Sequence, residues 1–223
     1  MIIHRKNNGE TAMLAQPKNR ITPQDYIRRE RAAEFRSEYA NGEIFEMAGT
    51  SRRHSRAAGN IFASIHAQIR GRNCEAHTNN MRTRITPERY TYPDIVIVCG
   101  KPEFEDRELD TLLNPTVIIE VLSGSAASYD RTKKFDSYRL IPSLQSYVLV
   151  KQSMPRIERY DRIHNPNVPP ERTLWTYFAV TDLTQSIELP AIDSVLALQD
   201  VYEGVEFDEE EPEAYSISFK SNC

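Results

Sequence analysis

Asp94-Ile-Val-Ile-Val-Cys99 and Thr116-Val-Ile-Ile-Glu-Val-Leu122 decide how the rest of the chain is read. Both runs are almost wholly β-branched or aliphatic, the pattern of strands covered on both faces. Pro93 opens the first and Gly100 ends it; Pro115 opens the second and Ser123-Gly-Ser ends it. Each run contains a single charge, Asp94 in one and Glu120 in the other. A carboxylate in such a strand is costly unless a cation or hydrogen-bond donors satisfy it. Two of them close together repel, which raises a pKa unless a metal neutralises the pair. Hard oxygen ligands of this kind suit Mg²⁺, which keeps several waters and leaves room for a phosphate. The plainer alternatives are that Asp94 caps its strand after Pro93 and that Glu120 pairs with an arginine.

Outward from these strands, helical and strand-like segments alternate without an internal repeat. Thr22-Pro23 opens a short helix, since Thr caps well and Pro suits the first helical position. Tyr39-Ala-Asn-Gly-Glu43 predicts a hairpin with a type I′ turn at Asn-Gly, returning through Glu43–Met47. Ser51 caps a helix whose stripe Ala58, Ile61, Ile65 and Ile69 has helical spacing, and Gly71 closes it. Residues 74–86 read as one strand turning at Pro87. A helix spans about 126–140 and a strand 146–150. Further strands are expected at 156–162, 173–180 and 186–189, with a short helix around 196–202. The expected class is α/β (α+β): one domain with a mixed central β-sheet flanked by helices. A flexible lead-in would cover 1–20, the body 21–205, and an acidic, disordered tail 206–223.

Composition narrows the function classes. The chain has 223 residues, 39% hydrophobic and 27% charged, which is enough for a sizeable core. Its longest apolar runs are far shorter than the roughly 20 residues that cross a bilayer. The opening MIIHRKNNGE has no apolar export segment, so the expected compartment is the cytoplasm and no membrane partner is implied. Cys74, Cys99 and Cys223 are scattered and odd in number, arguing against a disulfide framework and a zinc site.

The net charge of −4 conceals a segregation. The tail after Val205 holds six acids and one base, so the body carries 27 basic and 26 acidic side chains. Residues 51–89 hold eight arginines against Glu75 and Glu88. Arg52, Arg53, Arg56, Arg82 and Arg84 are therefore the candidates for a face that meets nucleic-acid phosphates, although solvated helix and strand faces also carry arginine runs.

Four stretches extend the two-carboxylate reading into a resemblance. They are Arg36-Ser-Glu-Tyr-Ala-Asn-Gly-Glu-Ile44 with His54 ten residues after, Tyr92-Pro-Asp-Ile-Val-Ile-Val98, Ile119-Glu-Val-Leu-Ser123, and Tyr129-Asp-Arg-Thr-Lys-Lys-Phe-Asp-Ser-Tyr138. The set resembles the PD-(D/E)XK pattern of restriction-endonuclease-like nucleases. It is more similar still to the Uma-type putative restriction endonuclease family, over about residues 20–205. The resemblance implies a restriction-endonuclease-like core, a Mg²⁺ site that Mn²⁺ can also fill, and phosphodiester hydrolysis of nucleic acid, DNA first. It also places Glu43 near the metal as a third carboxylate beside Asp94 and Glu120; a solvent-facing residue after a turn is the alternative.

One departure stands out. The lysine of the general pattern belongs two residues after Glu120, where this chain has Leu122. The following helix offers Lys133 and Lys134. Residues 127, 131, 134 and 138 share a face, so Lys134 lies at the edge of the apolar side and Lys133 falls with Asp130 and Ser137. Lys134 is the expected substitute, in line with the family; an ordinary i,i+4 pair with Asp130 is the alternative. His54 lies on the stripe of its helix and would orient a water or a phosphate, or serve as a cap. Tyr138 reads as packing. A competing reading takes Leu122 as a mark of lost chemistry, leaving a nuclease-fold module that binds nucleic acid or protein. A hydrolase of another phosphate ester is the third option, and a homodimer is compatible with all three.

Overall fold

The two apolar runs form adjacent interior strands of a six-stranded sheet in the computed structural model, which describes residues 20–47, 49–122, 127–165, 167–168 and 172–207, the side chains of 127–132 excepted. The lead-in and the acidic tail expected at the two ends lie, apart from residues 20, 206 and 207, outside the described residues.

The chain starts with helix α1 (Pro23–Ala32), capped by Thr22, whose side chain accepts from the amide of Asp25. The hairpin β1 (Ser37–Ala40) and β2 (Glu43–Glu46) follows, turning through Asn41 and Gly42 at positive φ, as the Asn-Gly pair requires. Next comes α2 (Arg52–Ile69), capped by Ser51. Then β3 (Cys74–Thr78), β4 (Arg82–Thr86), β5 (Arg89–Thr91), β6 (Ile95–Cys99), β7 (Thr111–Leu112) and β8 (Val117–Leu122) lead to α3 (Ala127–Tyr138). The remainder is β9 (Ser146–Lys151), β10 (Ile157–Arg162), β11 (Trp175–Val180), β12 (Ser186–Leu189), β13 (Ser194–Ala197) and α4 (Leu198–Val201).

The larger sheet has the order β11-β10-β9-β8-β6-β3 and is mixed: β8 and β9 run parallel, the other pairs antiparallel. The smaller sheet, β2-β1-β5-β4-β7, stands beside it, and β12 and β13 form a hairpin of their own. The mixed α+β architecture expected from the patterning is thus the one found.

Strand alternation divides the core in two. Ile95, Ile97, Val117, Ile119 and Val121 face α2, meeting Ala57, Ile61, Ile65 and Ile69. Val96, Val98, Ile118 and Leu122 face the opposite way, toward Tyr138, Ile141 and Tyr147. The inner stripe of α2 therefore starts at Ala57, with Ala58 at its half-buried edge. Each buried isoleucine contributes about 2–3 kcal/mol by apolar burial.

Several sequence expectations need correction. Residues 74–86 are two strands, because the turn after Thr78 releases β4 into the smaller sheet while β3 stays in the larger. Residues 194–197 are a strand, so the terminal helix is shorter than expected. Cys74 and Cys99 stand opposite each other in the β3–β6 register and are joined by a disulfide, although they are 25 residues apart in sequence. Linear spacing carries no sign of a cross-strand pairing of this sort.

Arg82 corrects the expected phosphate-binding face. The residue is 1% exposed and its donors go to Thr111 Oγ1 (2.8 Å), Tyr92 Oη (3.3 Å) and Asp110 Oδ1 (2.9 Å). Arg31 of α1 reaches the same Asp110 and also Asp106, tying the helix to the loop before β7. Arg84 gives its charge to Glu105 at 3.1 Å. Charge counting cannot tell a buried arginine from a displayed one, and these two hold the smaller sheet together.

Arg82→Ala is expected to cost about 2–4 kcal/mol in urea denaturation, the lower part of this range applying because Asp110 is partly exposed. The hydrogen bond from Arg31 leads the interactions that pull the Asp110 pKa from 3.8 down to about 2. A depressed folded pKa stabilises above the unfolded value, so this contribution should fade as pH falls from about 4 to about 2. Asp110→Asn should flatten that part of the acid-unfolding curve.

Candidate active site

The register of β6 against β8 pairs Ile95 with Ile119. Carried one residue further, it sets Asp94 across from Glu120, where antiparallel neighbours have Cβ atoms about 4.5–5.5 Å apart. Asp94 sits just before β6, and its Oδ2 accepts the Val121 amide at 2.8 Å. The same oxygen lies 3.0 Å from His54 Nε2, in the first turn of α2. Oδ1 carries no hydrogen bond among the described residues.

Glu120 is 4% exposed and held from α3 by two donors. Tyr138 Oη donates to Oε1 at 2.6 Å and Lys134 Nζ donates to Oε2 at 3.2 Å. The helical phase that singled out Lys134 over Lys133 is the observed one: Lys133 is exposed, while Lys134 meets Glu120. Leu122 faces the same side and lines the same cleft as Glu120. The Asp130 side chain, the alternative partner of Lys134, lies outside the described residues. Tyr138, expected to pack only, both packs and donates.

Burial raises the Glu120 pKa first and most. Lys134 opposes it, Asp94 and Glu38 reinforce it through their charge, and the carboxyl is pushed from 4.5 up to about 7. Burial works against a charged His54, but the hydrogen bond and charge of Asp94, with the charge of Glu120, outweigh it and raise its pKa. Burial and the neighbouring Glu120 drive the Tyr138 hydroxyl far above its ordinary range, so it remains a donor.

Asp94, Glu120, His54 and Lys134 line a cleft of 540 Å³ between the two sheets, together with Glu38, Phe45, Glu46 and Met47 of the β1–β2 hairpin segment. Glu38 is the third carboxylate near the pair; Glu43, expected there, is exposed at the turn end of β2 and does not line the cleft. The hairpin explains the exchange. Glu38 pairs with Phe45 and Ala40 with Glu43, so all four share one face. Glu43 is one pleat repeat, roughly 6–7 Å, farther from the centre. Strand alternation in Ser37-Glu-Tyr-Ala40 could have nominated Glu38 had the buried face of Tyr39 been recognised. Thr91 of β5 holds Glu38 by a hydrogen bond to Oε1.

Arg52, Arg53 and Arg56 lie in the first turns of α2, beside the cleft residues Thr50 and Ser51. Arg52 is exposed, 3.7 Å from Glu206, and Arg56 donates to the Glu203 carbonyl. Among the described residues, no group of three or more His, Cys, Asp or Glu side chains is gathered as a ready-made metal cage.

The fold is that of a mixed α+β protein with its buried carboxylates at the junction of two sheets. It is similar to the crystal structure of "a putative nuclease belonging to DUF820" from Anabaena variabilis ATCC 29413, with a TM-score of 0.62 and 18% identity, covering 83% of this chain and 99% of the other. Residues 23–193 match the model of the Uma2 family, described as "Putative restriction endonuclease", and the chain belongs to that family. Two Synechocystis relatives are similar in sequence. "Uncharacterized protein sll1609" is 38% identical over 144 residues, 64% of this chain and 81% of its own length. "Uncharacterized protein slr1290" is 28% identical over 192 residues, 86% and 96% respectively.

The raised Glu120 pKa has a direct consequence for stability. A group whose folded pKa is raised stabilises below its unfolded value, and that contribution is lost as pH climbs through the folded one. In metal-free buffer the protein should therefore lose stability between about pH 4.5 and pH 7 on this account. Glu120→Gln should raise the melting temperature at pH 8 and flatten the profile in that window, as read by calorimetry.

Proposed function

We propose that this protein is a Mg²⁺-dependent endonuclease hydrolysing phosphodiester bonds of nucleic acid, DNA first, with Mn²⁺ able to substitute. The observation carrying this reading is the opposed pair Asp94 and Glu120 at the wall of an open cleft, with the Lys134 ammonium 3.2 Å from Glu120.

The donor set fits a hard divalent cation. Four carboxylates, Glu38, Glu46, Asp94 and Glu120, line the cleft against one lysine among its described lining residues. Burial raises the Glu120 pKa most, and the charges of Asp94 and Glu38 raise it further. An anionic phosphate would be repelled unless a cation intervened. Asp94 Oδ1 is available, and Glu120 could turn an oxygen to the same ion. A site with two carboxylate ligands suits Mg²⁺, which binds few protein ligands and retains waters. When bound, the ion would polarise the phosphate and lower the pKa of a bound water.

The chain's own residues supply the remainder. Val121 N–H and His54 fix Asp94 through Oδ2, keeping Oδ1 toward the cleft. Tyr138 holds Glu120 from the buried side. Lys134 can direct the attacking water or neutralise charge developing on the phosphate, which a preorganised donor does at low reorganisation cost. It thus takes the place left by Leu122, reaching the carboxylate from the helix and not from the strand. Arg52 and Arg53, next in sequence to the cleft residue Ser51, would contact phosphates and make binding salt-sensitive, whereas Arg56 is turned to the Glu203 carbonyl. The cytoplasm is the compartment proposed.

The alternative, a nuclease-fold module without catalysis, draws on Leu122 alone. Plasmid and oligonucleotide cleavage with Mn²⁺ separates the two. Asp94→Ala and Glu120→Ala are each expected to lower the rate at least 100-fold with the far-ultraviolet circular dichroism unchanged, and Lys134→Met at least 10-fold. Equal rates in wild type and both carboxylate variants would remove the assignment.

A further inference from the structure

A second cleft, of 320 Å³, lies behind the first and shares Glu38, Phe45 and Lys134 with it. Its size is within the range of pockets that enclose small organic groups, about 300–1,000 Å³. Its floor is rigid, because Ile85, Tyr90 and Tyr138 are all buried. Its charge is the opposite of its neighbour's: Arg89, Lys133 and Lys134 line it against Glu38. Across one shared wall, an acidic cleft suited to a cation adjoins a basic cleft suited to an anion.

Phe45 forms that wall. It is half exposed, belongs to none of the hydrophobic clusters, and stacks on no other ring among the described residues. Its neighbour Ile44 points the other way and packs against the tyrosines of the smaller sheet. The β1–β2 register sets Phe45 opposite Glu38, fixing the ring over the cleft. An unused phenyl face beside lysines and an arginine is a stacking platform for a base whose phosphates meet those cations.

We infer that the second cleft seats an unpaired nucleobase beside the scissile phosphate, so that the substrate is single-stranded or locally unpaired nucleic acid and not an intact duplex. A base inside a duplex is stacked on both sides and cannot enter a concave pocket until it is turned out. The inference rests on the nuclease reading for what the neighbouring cleft does, but the binding it asserts needs no cleavage.

The test uses the full chain in EDTA. Fluorescence anisotropy compares a 12-nucleotide single strand containing 2-aminopurine with the blunt duplex of the same sequence. The single strand should bind about 10-fold more tightly, with 2-aminopurine emission quenched on stacking. Phe45→Ala should weaken single-strand binding about 10-fold, abolish the quenching and leave duplex binding unchanged, while Phe45→Trp retains both effects. Because Phe45 is half exposed, the fold should survive its replacement, which the circular dichroism checks. Single-strand binding untouched by Phe45→Ala, or equal binding of both forms, overturns the inference. Quenched binding by wild type without Mn²⁺-dependent cleavage supports the base pocket and sinks the nuclease reading; the absence of single-strand binding in EDTA overturns the base pocket and leaves the nuclease reading to the Mn²⁺ cleavage assay.

Discussion

The burial of Glu120 is the constraint to which the neighbouring structure answers. A strand covered on both faces has no room for a hydrated carboxylate, so each oxygen must find a donor within the protein. Tyr138 and Lys134 supply them, both from α3 and four residues apart on one face. That single requirement fixes the rotation of α3 about its axis. It also fixes its distance from β8, because a tyrosine spans the gap between helix and strand with its hydroxyl alone. Asp94 is held differently, by a backbone amide of β8 and by the first turn of α2, so the two carboxylates are anchored from opposite sides of the sheet.

A polar chain continues from this pair into the smaller sheet. Tyr138 Oη lies 3.4 Å from Thr91 Oγ1, and Thr91 donates to Glu38. Glu120, Tyr138, Thr91 and Glu38 therefore link the end of β8 to β5 and β1. Each hydroxyl gives its one proton to its own carboxylate, so the two pairs meet by proximity and not through a shared hydrogen bond. Their contact brings a third negative charge toward Glu120, and that charge raises its pKa further. The arrangement opposes folding stability locally, as clustered ionisable groups with perturbed pKa values in a cleft do. The core on the far side, where three isoleucines of α2 meet β6 and β8, contributes the apolar burial that offsets it.

The central strands were legible because their composition has one physical meaning. Uninterrupted β-branched runs bounded by Pro and Gly are buried strands, and a lone carboxylate in each is conspicuous. Helical phase sufficed to choose between Lys133 and Lys134. What failed in each case required knowledge of a partner strand. Glu43 and Glu38 lie on one face of the same hairpin, and only the position of the larger sheet distinguishes them. Cys74 and Cys99 are brought together by register, which spacing along the chain does not express. Arg82 stood out by charge but belongs to the interior, because Asp110, Thr111 and Tyr92 arrive there from distant segments. A turn between Thr78 and Arg82 divides two strands of different sheets, yet the local residues alone resemble one continuous strand.

In the proposed site the amine comes from a helix and not from a strand, which changes what controls its position. A lysine two residues beyond Glu120 would be placed by the β-ladder, with little freedom. Lys134 is placed instead by the packing of α3, and that packing is aromatic. Phe135 stacks on Tyr160 at 4.5 Å, on Tyr147 at 6.0 Å, and meets Trp175 edge-on at 5.3 Å. These rings come from β9, which pairs with β8, and from β10 and β11 beyond it, so three strands that carry neither carboxylate set the height of the helix above the sheet. Leu122 completes the exchange: it fills the space a strand lysine would occupy and adds to the apolar surface against which α3 rests. The position of the ammonium is therefore a property of the whole α3 face of the sheet, and loosening that aromatic layer would displace Lys134 without touching any residue of the cleft.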